Sequence, residues 1–330
     1  MTHQHSEQIQ RYLRWRAERA MSPLGTGGLA QARADRTRVN DIVAGPPSGT
    51  RFSRSSGDPS SGTPPMLIAH PAQVRHSAFA VYAHGGGWSI GTADDYASVA
   101  AHLAASASMP VVVPDYPLAP EHPFPAAPDA IDRALEACER EPENLGLNDG
   151  ARSVLIGDSA GGALAITAAL AAQRRGRPAS ALLLAYPATT TLLPPTEVET
   201  AWMAGLSRSA LEWFLNLYFT GTADRTTPRA NPIGDDLSAL PPIAVVTAEH
   251  DILNQSIDEF VRMARQAGVA VRHRRYAGQI HTFFQLVGIT DAAAEAYAYL
   301  TRDLDQILQP HHRHHPAGAP DRASPRSAAR

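Results

Sequence analysis

One short stretch, Gly157-Asp158-Ser159-Ala160-Gly161-Gly162, constrains the fold of this chain more than any other. Ser153-Val154-Leu155-Ile156 precedes it and is apolar and β-prone. Ala163 to Gln173 follows, rich in Ala and Leu, and reads as a helix. A strand that breaks directly into a helix around G-x-S-x-G carries its serine on a sharp turn with the hydroxyl exposed. Small residues are needed on both sides, because the serine backbone is strained and the adjoining elements come close. A Gly-rich turn without chemistry would share these glycines, so other segments have to decide between the two.

His84-Gly85-Gly86-Gly87-Trp88 is the second informative segment, and it follows the apolar run Ala78-Phe79-Ala80-Val81-Tyr82-Ala83. Three glycines after a strand let backbone N–H groups turn inward with no Cβ in the way. Such donors stabilise the negative oxygen formed when a carbonyl is attacked, and losing one typically costs about 10²–10³ in rate. A phosphate cradle is a poorer reading, since no Lys follows and the loop is not G-x-G-x-x-G.

Composition narrows the chemistry further. All 29 basic residues are Arg, and Lys is absent. That excludes Schiff-base catalysis, a phosphate-binding P-loop lysine and a Ser-Lys dyad. A nucleophilic Ser159 would then take a histidine as its base. At 330 residues the chain suits one large α/β domain with a small lid. A net charge of -3 gives no reason to expect a nucleic-acid partner. The single cysteine, Cys138, continues the helical spacing of Ile131 and Leu135 and reads as an ordinary helix-face residue. Met1 to Arg19 is polar and lacks an apolar signal core, and no run reaches the ~18–20 apolar residues of a membrane span. The expectation is a soluble cytoplasmic protein with no stable membrane insertion.

Residues 6–20 carry Ile9, Tyr12 and Leu13 at helical spacing among arginines, and are expected to form a lid helix. Residues 44–65 are rich in Gly, Pro and Ser and read as a long loop or weak hairpin. Strands are expected at 78–83, 109–114, 153–157, 180–186, 242–248 and 270–276. Helices are expected at 93–106, 125–139, 160–174, 254–267 and 291–308. The alternation, and continuous apolar strands such as Pro110-Val111-Val112-Val113, argue a mostly parallel central sheet with helices on both faces. Residues 190–235 break the pattern with Trp202, Trp213, Phe214, Tyr218 and Phe219, and include a helix over 211–219. This insert either covers a substrate pocket or packs as an ordinary helix. Residues 309–330, with His311, His312, His314 and His315, are expected to be a disordered tail.

The acid and base can be argued from position. In open parallel sheets, catalytic groups lie beyond the carboxyl ends of strands. Ile243 to Ala248 runs into Glu249-His250-Asp251, and Val271 to Tyr276 runs into Ala277-Gly278-Gln279-Ile280-His281. Asp251 and His281 therefore follow two successive strands, both after Ser159, in the order Ser, acid, His. Most of the fourteen histidines fall in termini, helices or strand interiors, leaving His281 favoured over His250 as base. Glu249 and Asp258 are the rival acids; one sits too close to its strand and the other within a helix.

With these residues in view, the chain resembles the hormone-sensitive-lipase-like bacterial carboxylesterases, an α/β-hydrolase family, over about residues 66–308. The glycine loop, the serine turn, Asp115 to Ala127 and Tyr276 to Phe284 carry the resemblance. The chain departs from the family at Pro117, usually Arg; at Ile252, usually Pro; and at Thr282, usually Gly. The resemblance implies an α/β-hydrolase core at 46–189 and 236–308, with a helical cap from residues 1–45 and 190–235. It implies a Ser159-His281-Asp251 triad, oxyanion donors Gly86, Gly87 and Ala160, and no metal or organic cofactor. The pocket is then expected to involve His84, Trp88, Asp158, Trp202, Trp213, Phe214 and Thr282. The implied activity is hydrolysis of small-molecule esters with short to medium acyl chains, and a homodimer is left open. Two alternatives stand beside it: a deacetylase or amidase acting on an acylated natural product, and a non-catalytic ligand-binding member of the fold.

Overall fold

The computed structural model describes residues 5–192, 205–221 and 223–309. The expected residues Trp202, His311, His312, His314 and His315 lie outside them. Eight strands form one sheet: β1 (Arg51–Ser55), β2 (Met66–His70), β3 (Ala78–Ala83), β4 (Val111–Pro114), β5 (Arg152–Asp158), β6 (Ala181–Ala185), β7 (Ile243–His250) and β8 (Val271–Ile280). Their order is β1-β2-β4-β3-β5-β6-β7-β8. Only β2 runs against its neighbours; β4 through β8 pair in parallel. The central strands are buried along their whole length, as in Ala78–Ala83 and Ala181–Ala185. Helices covering both faces of a parallel sheet account for these uninterrupted apolar runs.

The strand order decides where a site can form. From β3 the chain crosses to β4 on one side, then returns past β3 to β5 on the other. The loops leaving β3 and β5 therefore part from each other at the carboxyl edge, which opens the crevice where ligands bind in such sheets. Ala83 pairs with Gly157, so the glycine loop and the serine turn emerge side by side.

Nine α-helices are described: α1 (Glu7–Glu18), α2 (Gly28–Arg38), α3 (Ala97–Ala107), α4 (Ala126–Arg140), α5 (Ala160–Arg174), α6 (Arg208–Tyr218), α7 (Asn254–Gln266), α8 (Asp291–Thr301) and α9 (Leu304–Ile307). Helix α5 is buried over almost all of its length, which its Ala-rich sequence permits. Its first turn crosses the end of β3 so closely that a Cβ on Gly161 would meet the carbonyl oxygens of Ala83 and His84. Backbone atoms there cannot swing aside, so the turn requires glycine. Cys138 is buried on α4, and burial pushes its thiol up to about 12.

Several elements differ from the sequence expectation. Helix α2 was unexpected, and its buried residues are Ala32, Asp35 and Arg36, so it shows no apolar stripe. Strand β1 is an exposed edge strand with no buried face, and β2 is a short apolar run behind two prolines. The helix expected over 291–308 is two helices, α8 and α9. Strand β8 continues to Ile280, which brings His281 directly onto its end.

Strand β3 leads into His84, which is fully buried. Its ring lies between Tyr96 and Tyr116, with centroids 4.6 and 4.3 Å away. Nδ1 donates to the Gly85 carbonyl at 2.7 Å. Burial keeps the imidazole neutral and pushes its pKa from 6.5 down to about 3. Below pH 6.5 the unfolded chain takes up a proton here that the folded chain refuses. Stability is therefore lost as pH falls from about 6.5 towards 3. We expect His84→Phe to lose less stability than the wild type between pH 7 and pH 4, by an amount of order 3 kcal/mol. Urea titrations at the two pH values measure it; equal losses in both proteins would remove His84 as the cause.

Candidate active site

Ser159 sits between β5 and α5 with φ 53° and ψ -121°. A non-glycine residue is strained there and persists only when its surroundings hold it. They do so through three bonds. The Ser159 N–H donates to the Ala185 carbonyl at 3.0 Å, and its own carbonyl accepts from Gly162 and Ala188, each at 2.9 Å. The side chain is left half-exposed at the carboxyl edge of the sheet.

The Ser159 hydroxyl lies 2.8 Å from His281 Nε2, and His281 Nδ1 lies 2.7 Å from Asp251 Oδ2. A carboxylate only accepts, so the Nδ1–H donates to Asp251 and Nε2 is left to receive the serine proton. Asp251 Oδ1 accepts from the Leu253 N–H at 2.9 Å, which fixes the carboxylate plane. The side chains of His281 and Asp251 are 3% and 0% exposed, so their mutual attraction is little screened by water. Tyr186 packs on the His281 ring at 4.5 Å between centroids. The rivals are engaged elsewhere. His250 packs edge-on against His5, Glu249 accepts from the Gly278 N–H at 2.8 Å, and Asp258 receives Arg275 at 2.8 and 2.9 Å.

A small cavity of about 80 Å³ opens over the serine. Gly86, Gly87, Trp88, Ser159, Ala160, Phe214, His281 and Thr282 all line it. Gly86 and Gly87 have φ of 115° and 56°, and a Cβ on Gly87 would strike the Phe214 ring. Ala160 is the first residue of α5, where N–H groups have no intrahelical acceptor and the helix dipole favours negative charge. Helices α1, α2 and α6 add Tyr12, Arg36 and Leu211 to the lining. Trp88 stacks on Tyr218 with centroids 4.6 Å apart, so it serves as rigid wall.

Three residues expected at the pocket are placed differently. His84 is buried beneath the glycine loop. Asp158 is fully buried behind the serine, where Oδ1 accepts from Tyr82 Oη at 2.6 Å and the Gly85 N–H at 2.7 Å, and Oδ2 from Gln285 Nε2 at 2.7 Å. Burial raises its pKa, and these donors oppose the rise. Trp213 packs beside Phe214 at 4.8 Å and faces the segment at Gly25, one layer out from the cavity. Asp158 and Trp213 each lie next in sequence to a cavity residue and His84 lies two positions from one, and sequence proximity could not tell first contact from support.

The residues the sequence left unmarked are Gln285, Arg36 and Arg33. Gln285 follows His281 by one turn, and that spacing is its only signal. Arg36 lies over the Tyr96 ring at 4.2 Å and donates to the Asp95 carbonyl at 2.7 Å. Arg33 forks onto Glu121 with two contacts of 2.7 Å and donates to the Ser89 and Ala119 carbonyls. It ties α2 to the segment that follows Trp88. Among the described residues, no group of three or more His, Cys, Asp or Glu could hold a metal, and no helix is long and apolar enough to cross a membrane.

Comparison with known proteins agrees with this geometry. A family model described as the alpha/beta hydrolase fold matches residues 80–285. A carboxylesterase of Mycobacterium tuberculosis is 37% identical over 239 residues, covering 70% of this chain and 75% of the relative. An ethyl acetate hydrolase of Pseudomonas putida is 34% identical over 254 residues, covering 74% and 79%. The structure of a hyperthermophilic esterase from the archaeon Pyrobaculum calidifontis superposes with a TM-score of 0.82 at 28% identity, covering 92% of this chain and 99% of that one. With a matched segment that spans the glycine loop, the serine turn and the histidine turn, the chain belongs to the α/β-hydrolase fold family.

Proposed function

We propose that the protein is a serine carboxylesterase that hydrolyses small acyl esters through an acyl-enzyme on Ser159. The observation that carries this reading is the continuous hydrogen-bonded chain from Ser159 through His281 to Asp251 at the floor of a cavity. The names of the relatives point to the same reaction.

The steps follow from the atoms in place. His281 Nε2 removes the Ser159 proton as Oγ attacks the acyl carbon. Asp251 holds the ring in the accepting tautomer and stabilises the imidazolium. The carbonyl oxygen becomes anionic and is received by the N–H groups of Gly86, Gly87 and Ala160. The imidazolium then gives its proton to the leaving alcohol, and the acyl group stays on Ser159. Water enters, His281 takes its proton, and the same sequence releases the acid.

Helices α1 and α2, with the described residues of the 190–235 insert, act in this reading as a cap that closes the cavity. Its aromatic and aliphatic residues, Trp88, Leu206, Leu211 and Phe214, suit short acyl chains.

We expect Ser159→Ala to lower turnover of p-nitrophenyl butyrate by about 10⁴–10⁶ with an unchanged thermal transition. Substantial activity in that folded variant would defeat the assignment. His281→Ala should lose a similar amount while His250→Ala stays within a few-fold of the wild type; the reverse outcome would transfer the role of base to His250.

The small cavity also sets an expectation for chain length. Each buried CH₂ contributes roughly 0.8 kcal/mol until the pocket is full. Across p-nitrophenyl acetate to palmitate, kcat/KM should pass through a maximum at a short or medium chain. A steady rise to palmitate with activation at a lipid–water interface would point to a lipase instead. An N-acyl p-nitroanilide run alongside should react far more slowly than the matched ester.

A further inference from the structure

Thr282 holds a backbone conformation that branched residues avoid. Its φ is 83° and its ψ is -4°, in the left-handed region. A β-branched side chain crowds the backbone there, and its presence is a genuine outlier. Glycine would meet the same turn without strain. The side chain does nothing for the turn that would offset the cost. It makes no hydrogen bond among the described residues and does not cap the short helical turn Phe283–Gln285 that it precedes. The turn's own bond, from the Gln285 N–H to the Thr282 carbonyl at 2.9 Å, is a backbone bond that any residue would make. What the side chain does is line the cavity, half-buried beside His281.

The part of the substrate it meets follows from the path of the proton. His281 Nε2 takes the proton from Ser159 and must hand it to the leaving oxygen. That oxygen, and the alcohol carbon behind it, therefore lie on the histidine side of the acyl carbon. The carbonyl oxygen faces the other way, towards Gly86, Gly87 and Ala160. Thr282 is the residue next to His281, so its branched Cβ borders the alcohol. A second element closes the same side. A Cβ on Gly205 would lie 3.3 Å from His281 Cβ and 3.4 Å from its backbone N and O, and the adjacent Leu206 is buried and lines the cavity.

We propose that Thr282 is a specificity-determining residue that narrows the alcohol side of the cavity, so that esters of unbranched primary alcohols are preferred over esters of branched alcohols. This rests on the ester-hydrolysis reading above. The test is kcat/KM for ethyl, isopropyl and tert-butyl acetate in the full chain and in Thr282→Gly and Thr282→Val. The wild type should fall steeply from ethyl to tert-butyl. Thr282→Gly should raise the isopropyl-to-ethyl ratio by roughly tenfold or more, the scale of one methylene-sized change in a pocket, with Tm unchanged or higher. Thr282→Val keeps the shape, loses the hydroxyl and should keep the wild-type ratio. If Thr282→Gly melts higher but keeps the wild-type ratio, the residue serves only the turn and the proposal is overturned. A ratio in Thr282→Val that moves as far as in Thr282→Gly overturns the steric account. So does a wild type that cleaves p-nitrophenyl acetate but not ethyl acetate. A wild type inactive on all of these esters sinks the ester-hydrolysis reading itself, and that result is read before any Thr282 variant is compared.

Discussion

The carboxylate of Asp158 is the interaction on which the site depends. It lies one residue before Ser159, fully buried, and binds three groups from two other parts of the chain: Tyr82 on β3 with the Gly85 amide just after it, and Gln285 beyond the histidine. An ionised carboxylate deprived of water is costly unless its lone pairs are filled. That cost enforces the geometry. Withdrawing any one donor leaves a buried charge short of a bond, so the serine turn, the glycine loop and the histidine turn are held in mutual register. Two donors on Oδ1 and one on Oδ2 also fix the plane of the carboxylate, and with it the direction in which the chain enters Ser159.

Local strain concentrates around the same point. Trp88, Ser159, Tyr186 and Thr282 all have positive φ without being glycine, and all four surround the triad or its cavity. Conformations of this kind persist only where surrounding structure over-determines them. Here the over-determination is visible. Ser159 is held by three backbone bonds, Trp88 by its stack on Tyr218, and Tyr186 by the Val246 carbonyl and the His281 ring. Thr282 is the exception, since its side chain has no such support, and this contrast directs attention to what it does in the cavity.

What could be read in the sequence followed from how local its physical cause is. The strand–turn–helix at 153–173, the glycine loop and the positions of Asp251 and His281 are written in contiguous residues, and the parallel alternation is written in apolar runs. Helix α2 was not legible, because its buried face is Ala32, Asp35 and Arg36, whose partners are Ser22, Gln31 and the Asp95 carbonyl. A buried polar face has no hydrophobic period to detect. Strand β1 was hidden for the opposite reason, since an exposed edge strand has no buried side to alternate with. For Asp158 and His84 the motifs imply membership of the site but not the side on which they lie, because sequence adjacency gives no direction. Only the parallel pairing of Ala83 with Gly157 shows that both side chains turn under the loops.

The division of labour between sheet and walls follows from how each is attached. Ser159, Asp251 and His281 all leave the ends of strands paired in parallel, with the β7–β8 pairing resuming at His250 and Ile280 after a register shift, so each is tied to the ladder beside it. The walls are attached more sparsely. Helix α1 is held to β8 by the Ser6 N–H on the Gly278 carbonyl and Gln279 on the Ser6 hydroxyl, and α2 to the glycine-loop segment by the Arg33 fork on Glu121 and two carbonyls. Glu121 is surface-exposed, and its pKa is drawn down to about 2 chiefly by its bond to Arg33. Such a contact orients a helix more than it stabilises the fold. A substitution in the walls can therefore reshape the cavity without moving Ser159, His281 or Asp251, whereas one in the strand ends disturbs both. Thr282 belongs to both sets, bound by its backbone to the catalytic turn and by its side chain to the cavity, so a change there alters selectivity next to the histidine while the ladder beneath it stays intact.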